Sequence, residues 1–215
     1  MATIFRTWSY RYQWIYNTVS AVAALAVGGE GRLRRLPLVG LKIEPETAVL
    51  DLCCGAAAVT QILVQQSQRV TALDASPKAI ARAQAIAPQA TYVEAFAEAM
   101  PFPDQSFDLV HSAAAFHEME PEQLRQILQE VFRVLKPGGV LAFVDLHAPT
   151  NPLFWPGLAT FMGLFETETA WQFIQTDMLD LLAELGFVGG DGQANVDRTL
   201  HAGGSLQVVH AYKPG

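Results

Sequence analysis

Short runs of apolar and β-branched residues alternate with helix-like patterns along the chain from about residue 48 onward. The runs predict seven strands, at Ala48–Cys53, Arg69–Leu73, Thr91–Glu94, Phe107–His111, Val140–Leu146, Phe187–Val196 and Ser205–Tyr212. Helices are predicted between them at Val59–Gln66, from Ser76-Pro77 onward, at Pro121–Leu135 and at Thr176–Leu185. This alternation is typical of βα units on a parallel sheet, and the last two strands are close enough in sequence to pair antiparallel. We therefore predict an α/β, Rossmann-like fold with a seven-stranded, mostly parallel sheet, helices on both faces and an antiparallel last strand.

Two segments depart from this alternation. Residues 1–45 predict an N-terminal helical cap that is rich in aromatic residues, namely Trp8, Tyr10, Tyr12, Trp14 and Tyr16. Residues 147–170 are rich in Pro, Phe, Trp and Met and predict a covering insert with one or two short helices. We expect residues 46–215 to form the main domain, with this insert covering part of it.

Composition narrows the class of protein. Half of the 215 residues are hydrophobic (51%) and 16% are charged, so the chain can bury enough apolar surface to fold as a globule. The formal charge is −7, from 14 Lys and Arg against 21 Asp and Glu, and this acidic balance predicts no nucleic-acid partner. No apolar run approaches the roughly 20 residues that span a bilayer, which predicts no transmembrane segment and a cytoplasmic location. The aromatic surplus permits peripheral contact with a membrane, and monomer and homodimer both stay open.

Cys53 and Cys54 are adjacent, so a disulfide between them is not expected, and both are predicted to be reduced thiols that pack in the interior. The spacing of the histidines and cysteines is not typical of a zinc site, and we predict no bound metal.

The passage VLDLCCGAAA, at residues 49–58, runs from an apolar strand into a series of small residues. Small residues let the backbone turn tightly and approach a ligand at the carboxyl edge of a sheet, although they also suit tight packing of a strand against a helix. Asp51 is expected to organise this loop or the charged end of a ligand. Asp74 ends the second predicted strand, roughly 20 residues beyond the loop, where a carboxylate accepts hydrogen bonds from a ribose; a simple turn or helix-capping role is the alternative.

Four segments occur in the order found in one large family. VLDLCCGAAA, LDAS, EAFAEAMPFPDQSFDLV and EVFRVLKPGGVL together resemble the successive motifs of class I S-adenosylmethionine-dependent methyltransferases, over roughly residues 48–146. The segments MPFPDQSFDLV and LKPGG are most similar to the branch that methylates quinones and other small molecules, such as the ubiquinone and menaquinone methyltransferases. The resemblance implies S-adenosylmethionine as the cofactor, with S-adenosylhomocysteine as its product.

The resemblance also implies which residues hold the cofactor: Asp51, Cys53, Gly55, Ala57, Asp74, Ala75, Phe96, Ala97, Glu98 and Ser112. Cys53 and Ala57 stand where the family has the first and third glycines of its loop, which leaves less room beside the cofactor. Phe96 stands where the family commonly has an Asp that pairs with the adenine amino group, so a stacking or packing contact is expected there.

His117 is the first choice for a catalytic general base, because imidazole titrates near neutral pH and follows the strand that faces the acceptor in this family. Fixing the start of the next helix is the alternative role. The other residues expected to contact the acceptor are Tyr12, Tyr16, Asp145, His147 and Phe165. Aromatic walls suit a flat or lipophilic acceptor, although aromatics also commonly pack a cap onto a sheet.

These observations predict an enzyme that transfers a methyl group from S-adenosylmethionine to a small aromatic or lipophilic acceptor, such as a quinol or phenol. A non-catalytic protein that keeps the fold to bind nucleosides or partners is the alternative, motivated by Cys53, Ala57 and Phe96. A nicotinamide-dependent oxidoreductase is less well supported, because Gly55 stands alone among alanines where that class has three glycines.

Overall fold

A seven-stranded sheet forms the centre of the computed structural model, which describes residues 24–165, 167–192 and 196–215. The strands are β1 (Ala48–Leu52), β2 (Arg69–Asp74), β3 (Thr91–Glu94), β4 (Phe107–Ala113), β5 (Leu135–Leu146), β6 (Asp197–His201) and β7 (Leu206–Tyr212). They lie in the order β3-β2-β1-β4-β5-β7-β6, with β1 to β5 parallel and β7 antiparallel to both of its neighbours. The predicted fold class is therefore confirmed.

Helices and short 3-10 turns connect and cover the strands. The helices are α1 (Glu30–Leu33), α2 (Thr60–Leu63), α3 (Pro77–Ile86), α4 (Pro121–Val134), α5 (Trp155–Phe165), α6 (Glu168–Phe173) and α7 (Met178–Glu184). The 3-10 turns are Leu25–Val27, Leu36–Leu38, Phe116–Glu118, Pro152–Phe154 and Ala202–Gly204. Within the described ranges, every helix is too short or too polar to cross a lipid bilayer.

The two faces of the sheet bury different sets of side chains. The face covered by α4, α5, α6 and α7, here called the α4 face, buries the largest apolar cluster. Its strand residues include Leu50, Leu52, Leu73, Val110, Leu141, Phe143, Val209 and Ala211. The opposite face packs Val49, Leu109 and Ala142 against α2 and residues 38–43, and further clusters against α3 and residues 27–36. Successive residues of a strand alternate between the two faces of the sheet. The cluster to which a strand residue belongs therefore indicates the face on which its side chain lies.

Helix α4 illustrates how closely the apolar pattern predicts packing. Leu124, Ile127, Leu128 and Val131 are buried at the predicted helical spacing. Pro121 occupies the first turn, where its missing N–H costs nothing, and Leu135 ends the helix in an extended conformation. The buried stripe contacts the α4 face and anchors the helix on it.

The predicted strand at Phe187–Val196 is wrong. Among the described residues of that segment, 187–192 and 196, Val188 alone forms an isolated bridge, with Tyr212, and the sixth strand lies at Asp197–His201. The glycines at positions 189, 190 and 192 weaken a continuous ladder because they contribute no side chain to pack, and Gly192 has a positive φ of 77°.

Other predicted boundaries shift by a few residues. The helix predicted at Val59–Gln66 is regular only over Thr60–Leu63. Asp177 caps α7 by accepting hydrogen bonds from the N–H groups of Leu179 and Asp180. Thr176, the predicted cap, instead donates its hydroxyl to the carbonyl of Gln172 in the preceding helix.

Candidate functional site

The loop after β1 adopts a left-handed backbone at every second residue. The φ angles of Cys53, Gly55 and Ala57 are 57°, 52° and 63°. Only glycine adopts this region without a steric cost from Cβ, which for other residues is roughly 1–2 kcal/mol. The loop therefore keeps the conformation that three glycines would favour, although two of the three positions carry a Cβ. A Cβ built on Gly55 would meet no described atom within 4 Å, so the space over the centre of the loop is open.

Asp74 joins this loop to the end of β2. Its Oδ2 accepts a hydrogen bond from the Gly55 N–H at 2.9 Å, and its Oδ1 accepts one from the Ser76 N–H at 2.8 Å. Ser76 in turn caps α3 through the N–H of Ala79. A carboxylate offers about four acceptor positions, so these two bonds leave Asp74 able to accept hydrogen bonds from hydroxyl groups. The side chain is half-buried at the carboxyl edge of the sheet.

Asp51 is enclosed beneath the loop. Its Oδ2 accepts the Thr60 hydroxyl at 2.6 Å, and its Oδ1 lies 2.8 Å from Nδ1 of His111. Both partners are buried, and Asp51 and His111 are directly paired in the β1–β4 register. Asp51 therefore joins the start of α2 to the central strand β4. Sequence reasoning missed both partners: strand register brings His111 to Asp51, and the turn into α2 brings Thr60 to it.

The two cysteines are free thiols beside these carboxylates. Burial, followed by the negative charges of Asp74 and Asp51, raises the pKa of Cys53 to about 12. Burial and the same two carboxylates also raise the pKa of Cys54. Because the thiolate is the nucleophilic form, both residues stay protonated and unreactive near neutral pH.

Residues 95–98 extend the same edge beyond Asp74. The Ala95 N–H donates to the Asp74 carbonyl at 3.2 Å, which places the end of β3 beside the carboxylate. Phe96 is 65% exposed, an unusual position for a large aromatic ring. Ala97 is buried, and Glu98 accepts a hydrogen bond from Gln123. Ala75, between β2 and α3, is exposed.

His117 and Asp145 form a buried pair at the carboxyl ends of β4 and β5. Nδ1 of His117 lies 2.5 Å from Oδ1 of Asp145. The carboxylate also accepts the N–H groups of Phe116 at 2.8 Å and Leu146 at 2.7 Å, so its orientation is set by the backbone. In the neutral imidazole, Nδ1–H donates to Asp145 and Nε2 carries the basic lone pair. The structure thus joins two residues that the sequence presented separately.

Ser112 precedes this pair on β4 and is 1% exposed. Its hydroxyl has no hydrogen-bond partner among the described residues.

Among the other residues expected at the acceptor, His147 is the one whose side chain the structure describes, and its hydrogen bonds are made elsewhere. At the turn between β6 and β7, the Nδ1–H of His147 donates to the Gly204 carbonyl at 2.8 Å, and its Nε2 accepts from the Arg198 guanidinium at 3.3 Å. Tyr12 and Tyr16 lie outside the described residues. Phe165 ends α5, and its side chain is outside the described part.

Comparisons with known proteins agree with this geometry. Residues 49–139 match a family described as a methyltransferase domain. An uncharacterized methyltransferase of Synechocystis sp. is 57% identical over 211 residues, which cover 98% of this chain and 97% of that protein. A demethylmenaquinone methyltransferase of Lactobacillus johnsonii is 30% identical over 150 residues, 66% of this chain and 61% of that protein. A malonyl-[acyl-carrier protein] O-methyltransferase of Enterobacter lignolyticus is 38% identical over 104 residues, 48% of this chain and 41% of that protein.

Solved structures share the fold at low sequence identity. A methyltransferase of Haloferax volcanii, described as putative and solved in complex with the activator Trm112, aligns with a TM-score of 0.65 and 18% identity, over 91% of this chain and 95% of that one. The N-methyltransferase NodS of Bradyrhizobium japonicum, solved with S-adenosylhomocysteine, aligns with a TM-score of 0.56 and 19% identity, over 86% and 85%. With the motif order and the full-length relative, these findings show that the chain belongs to the S-adenosylmethionine-dependent methyltransferase family.

Proposed function

We propose that this enzyme methylates a hydroxyl group of a small aromatic or lipophilic acceptor, of the quinol or phenol type, with His117 as the general base. The observation that carries the proposal is the buried His117–Asp145 pair at the carboxyl edge of the sheet. The family's cofactor is S-adenosylmethionine, so the residues at this edge must be able to bind it.

The edge offers a set of groups that fits this cofactor. Asp74 has acceptor positions left for ribose hydroxyls, and the open space over Gly55 admits a ligand close to the backbone. The exposed ring of Phe96 offers a face on which a planar base could stack. The buried hydroxyl of Ser112, which has no partner among the described residues, is a further hydrogen-bonding group that we assign to the cofactor. Cys53, Ala57, Ala75, Ala97 and Glu98 complete the proposed surface.

When bound, S-adenosylmethionine supplies an electrophilic methyl group on a sulfonium. The chain's own residues prepare the acceptor. Asp145 orients the imidazole and favours the tautomer whose lone pair is on Nε2 of His117. When a methyl group is transferred to the acceptor oxygen, the hydroxyl proton of the acceptor would move to Nε2 of His117. Asp145 then stabilises the resulting imidazolium.

The need for a base separates two acceptor classes. A carboxylic acid is already ionised near neutral pH, so an acceptor of the malonyl type needs no proton removed. A phenol, with an ordinary pKa near 10, is mostly protonated at that pH and gains from a positioned base. A buried, carboxylate-oriented histidine therefore favours the phenol or quinol class. The similarity to demethylmenaquinone methyltransferases supports a quinol-type acceptor, although the reaction in their name adds the methyl group to a ring carbon.

The decisive experiment has two stages. Isothermal titration with S-adenosylmethionine and S-adenosylhomocysteine should show binding, and Asp74→Ala should weaken it at least tenfold, because a ribose contact and the loop tie are both lost. Transfer of a tritiated methyl group is then measured with reduced naphthoquinols, phenols and a malonyl thioester as acceptors. Binding of a nicotinamide nucleotide in place of both methyl compounds would reject the proposal. Binding without transfer to any acceptor would favour the non-catalytic alternative.

A further inference from the structure

The side chains on the α4 face change from apolar to polar at the carboxyl edge of the sheet. On β4 the apolar Val110 is followed on that face by Ser112, and on β5 Phe143 is followed by Asp145. On β7, which runs the other way, Val209 is followed toward the same edge by Gln207. The edge of the apolar core is thus a polar row of Ser112, Asp145 and Gln207, and all three are at most 2% exposed.

Gln207 leaves one of its polar atoms unused. Its Nε2 donates to the Leu146 carbonyl at 3.0 Å. Its Oε1 is buried and has no partner among the described residues. Exchanging the amide O and N would place two carbonyl oxygens against each other, so the Leu146 contact fixes which atom is the unpaired one. A buried carbonyl oxygen without a donor opposes folding, which makes its retention here notable.

One residue, Asp145, is a neighbour of both Gln207 and the proposed base His117. Gln207 and Asp145 are direct partners in the antiparallel β5–β7 register, so their side chains share a face with Cβ atoms roughly 5 Å apart. Asp145 holds the imidazole of His117. The polar row therefore presents an oriented base and, on the neighbouring strand, a hydrogen-bond acceptor.

We propose that Oε1 of Gln207 accepts a hydrogen bond from a second donor group on the methyl acceptor, apart from the hydroxyl that His117 deprotonates. This proposal rests on the function proposed above and specifies its substrate class as a dihydroxy aromatic such as a hydroquinone. A site built to accept a hydrogen bond rejects an analogue that lacks the donor, because the buried oxygen is then left unpaired. The second hydroxyl does not react, so its contact strengthens binding more than turnover.

The test compares two probes that differ by one hydroxyl group. Dissociation constants for 1,4-dihydroxynaphthalene, kept reduced with dithionite, and for 1-naphthol are measured on the S-adenosylhomocysteine-loaded enzyme, where no turnover occurs. We expect the dihydroxy probe to bind the wild type about tenfold or more tightly. Gln207→Met, which keeps the side-chain length and removes the amide, should reduce this ratio to about one. Gln129→Met, at an exposed position on α4, is the matched control and should leave the ratio unchanged.

A second readout needs no acceptor. Gln207→Met removes both the unpaired Oε1 and the Nε2 donor to the Leu146 carbonyl, so if Oε1 is kept for a ligand the two changes partly offset each other and the melting temperature of the free protein should change by no more than a few degrees. A fall of several degrees with an unchanged probe ratio would assign Gln207 a purely structural role and overturn the proposal. If Gln207→Met does not fold, wild-type binding of 4-methoxy-1-naphthol decides, since this probe keeps the second oxygen without its proton and should bind no better than 1-naphthol.

The outcomes separate this proposal from the proposed function. Turnover of naphthols with a wild-type ratio near one would leave the methyltransferase proposal intact and overturn the role of Gln207. A tenfold ratio that depends on Gln207, without turnover of either probe, would support the role of Gln207 in binding and reject His117-assisted methylation of these acceptors. Binding of neither probe would overturn both.

Discussion

Asp145 and His117 are 28 residues apart in sequence, and their side chains meet at 2.5 Å inside the protein. The contact exists because β5 ends beside β4, while the 3-10 turn at Phe116–Glu118 folds back over the same edge. Two backbone N–H groups hold the carboxylate in place, so the imidazole has one favoured orientation. The first prediction tests what this orientation does.

Asp145→Asn should lower kcat by about 10²-fold or more, since an amide no longer favours the Nδ1–H tautomer or stabilises the imidazolium. His117→Gln should lower kcat similarly and remove the acidic limb of the pH–rate profile. The measurement is kcat against pH with an accepted phenol. His210→Gln is the control, because its Nε2 contacts the Pro37 carbonyl on the opposite face. An unaltered profile in His117→Gln would show that the acceptor ionises without this base.

The left-handed conformation of the loop predicts that replacing Cys53 and Cys54 by glycine changes the free energy of unfolding in opposite directions. Cys53 has a φ of 57° and carries a steric cost that glycine would not, whereas Cys54 has an ordinary φ and a buried side chain. Cys53→Gly should therefore keep or raise the free energy of unfolding, by up to about 1 kcal/mol. Cys54→Gly should lower it by about 1–2 kcal/mol through lost packing and a more flexible unfolded chain. Urea denaturation of the two variants checks this, and equal losses would contradict the strain argument.

Burial of the two thiols predicts slow alkylation. The pKa of Cys53 is raised to about 12, and that of Cys54 is raised as well, so almost no thiolate exists in the folded protein at pH 8. Iodoacetamide should therefore modify the folded chain at least 10²-fold more slowly than the urea-unfolded chain, whose thiols have ordinary pKa values near 8.5. By linkage, the folded state holds these protons more tightly, so this contribution to stability is complete below pH 8 and declines as the pH rises toward 12. Rapid alkylation of the folded protein would show that the thiols are accessible and ionised.

The position of Gly203 predicts that adding a single methyl group there would strongly destabilise the fold. A Cβ there would lie 2.2 Å from the ring of Phe154, and the φ of Gly203 is +63°. Gly203→Ala should lower the free energy of unfolding by at least about 2 kcal/mol, from overpacking and backbone strain together. Gly40→Ala is the control, since its φ is +83° but no described atom lies within 4 Å of its Cβ, so only the strain of about 1 kcal/mol applies. Similar losses in thermal denaturation would show that the Phe154 contact relaxes freely.

Arg133, near the end of helix α4, forms hydrogen bonds with the loop that precedes β4. Its guanidinium donates to the carbonyls of Met100 and Phe102, at 3.0 and 2.8 Å, and to Asp104 at 2.7 Å. A lysine cannot reproduce this planar set of donors, so Arg133→Lys should cost about 2 kcal/mol of unfolding free energy. Arg125→Lys, at an exposed ion pair, should change it by less than about 0.5 kcal/mol. Chemical denaturation compares the two, and equal effects would mean that the loop contacts contribute little.

The local pattern of the sequence predicts much of the architecture. The strands from β1 to β5 and the buried stripe of α4 follow from periodicities of two and about 3.6, which depend only on neighbours in the chain. The sequence also predicts Asp74 and the small-residue loop as site residues, because the first βα turn places them at the carboxyl edge of a parallel sheet. The predicted strand at Phe187–Val196 failed where glycines interrupt the pattern, and nothing local indicates that pairing resumes ten residues later.

The sequence by itself determined the fold class, the family and several residues of interest at the edge of the sheet, among them Asp51, Asp74, His117 and Asp145, but not His111, Thr60 or Gln207. Tertiary structure alone decided how they combine: Asp51 with His111 across 60 residues, Asp145 with His117, and Gln207 beside Asp145. The physical reason is strand register. Hydrogen bonding between strands distant in sequence sets which side chains are neighbours, and a shift of one residue would place each partner on the other face of the sheet.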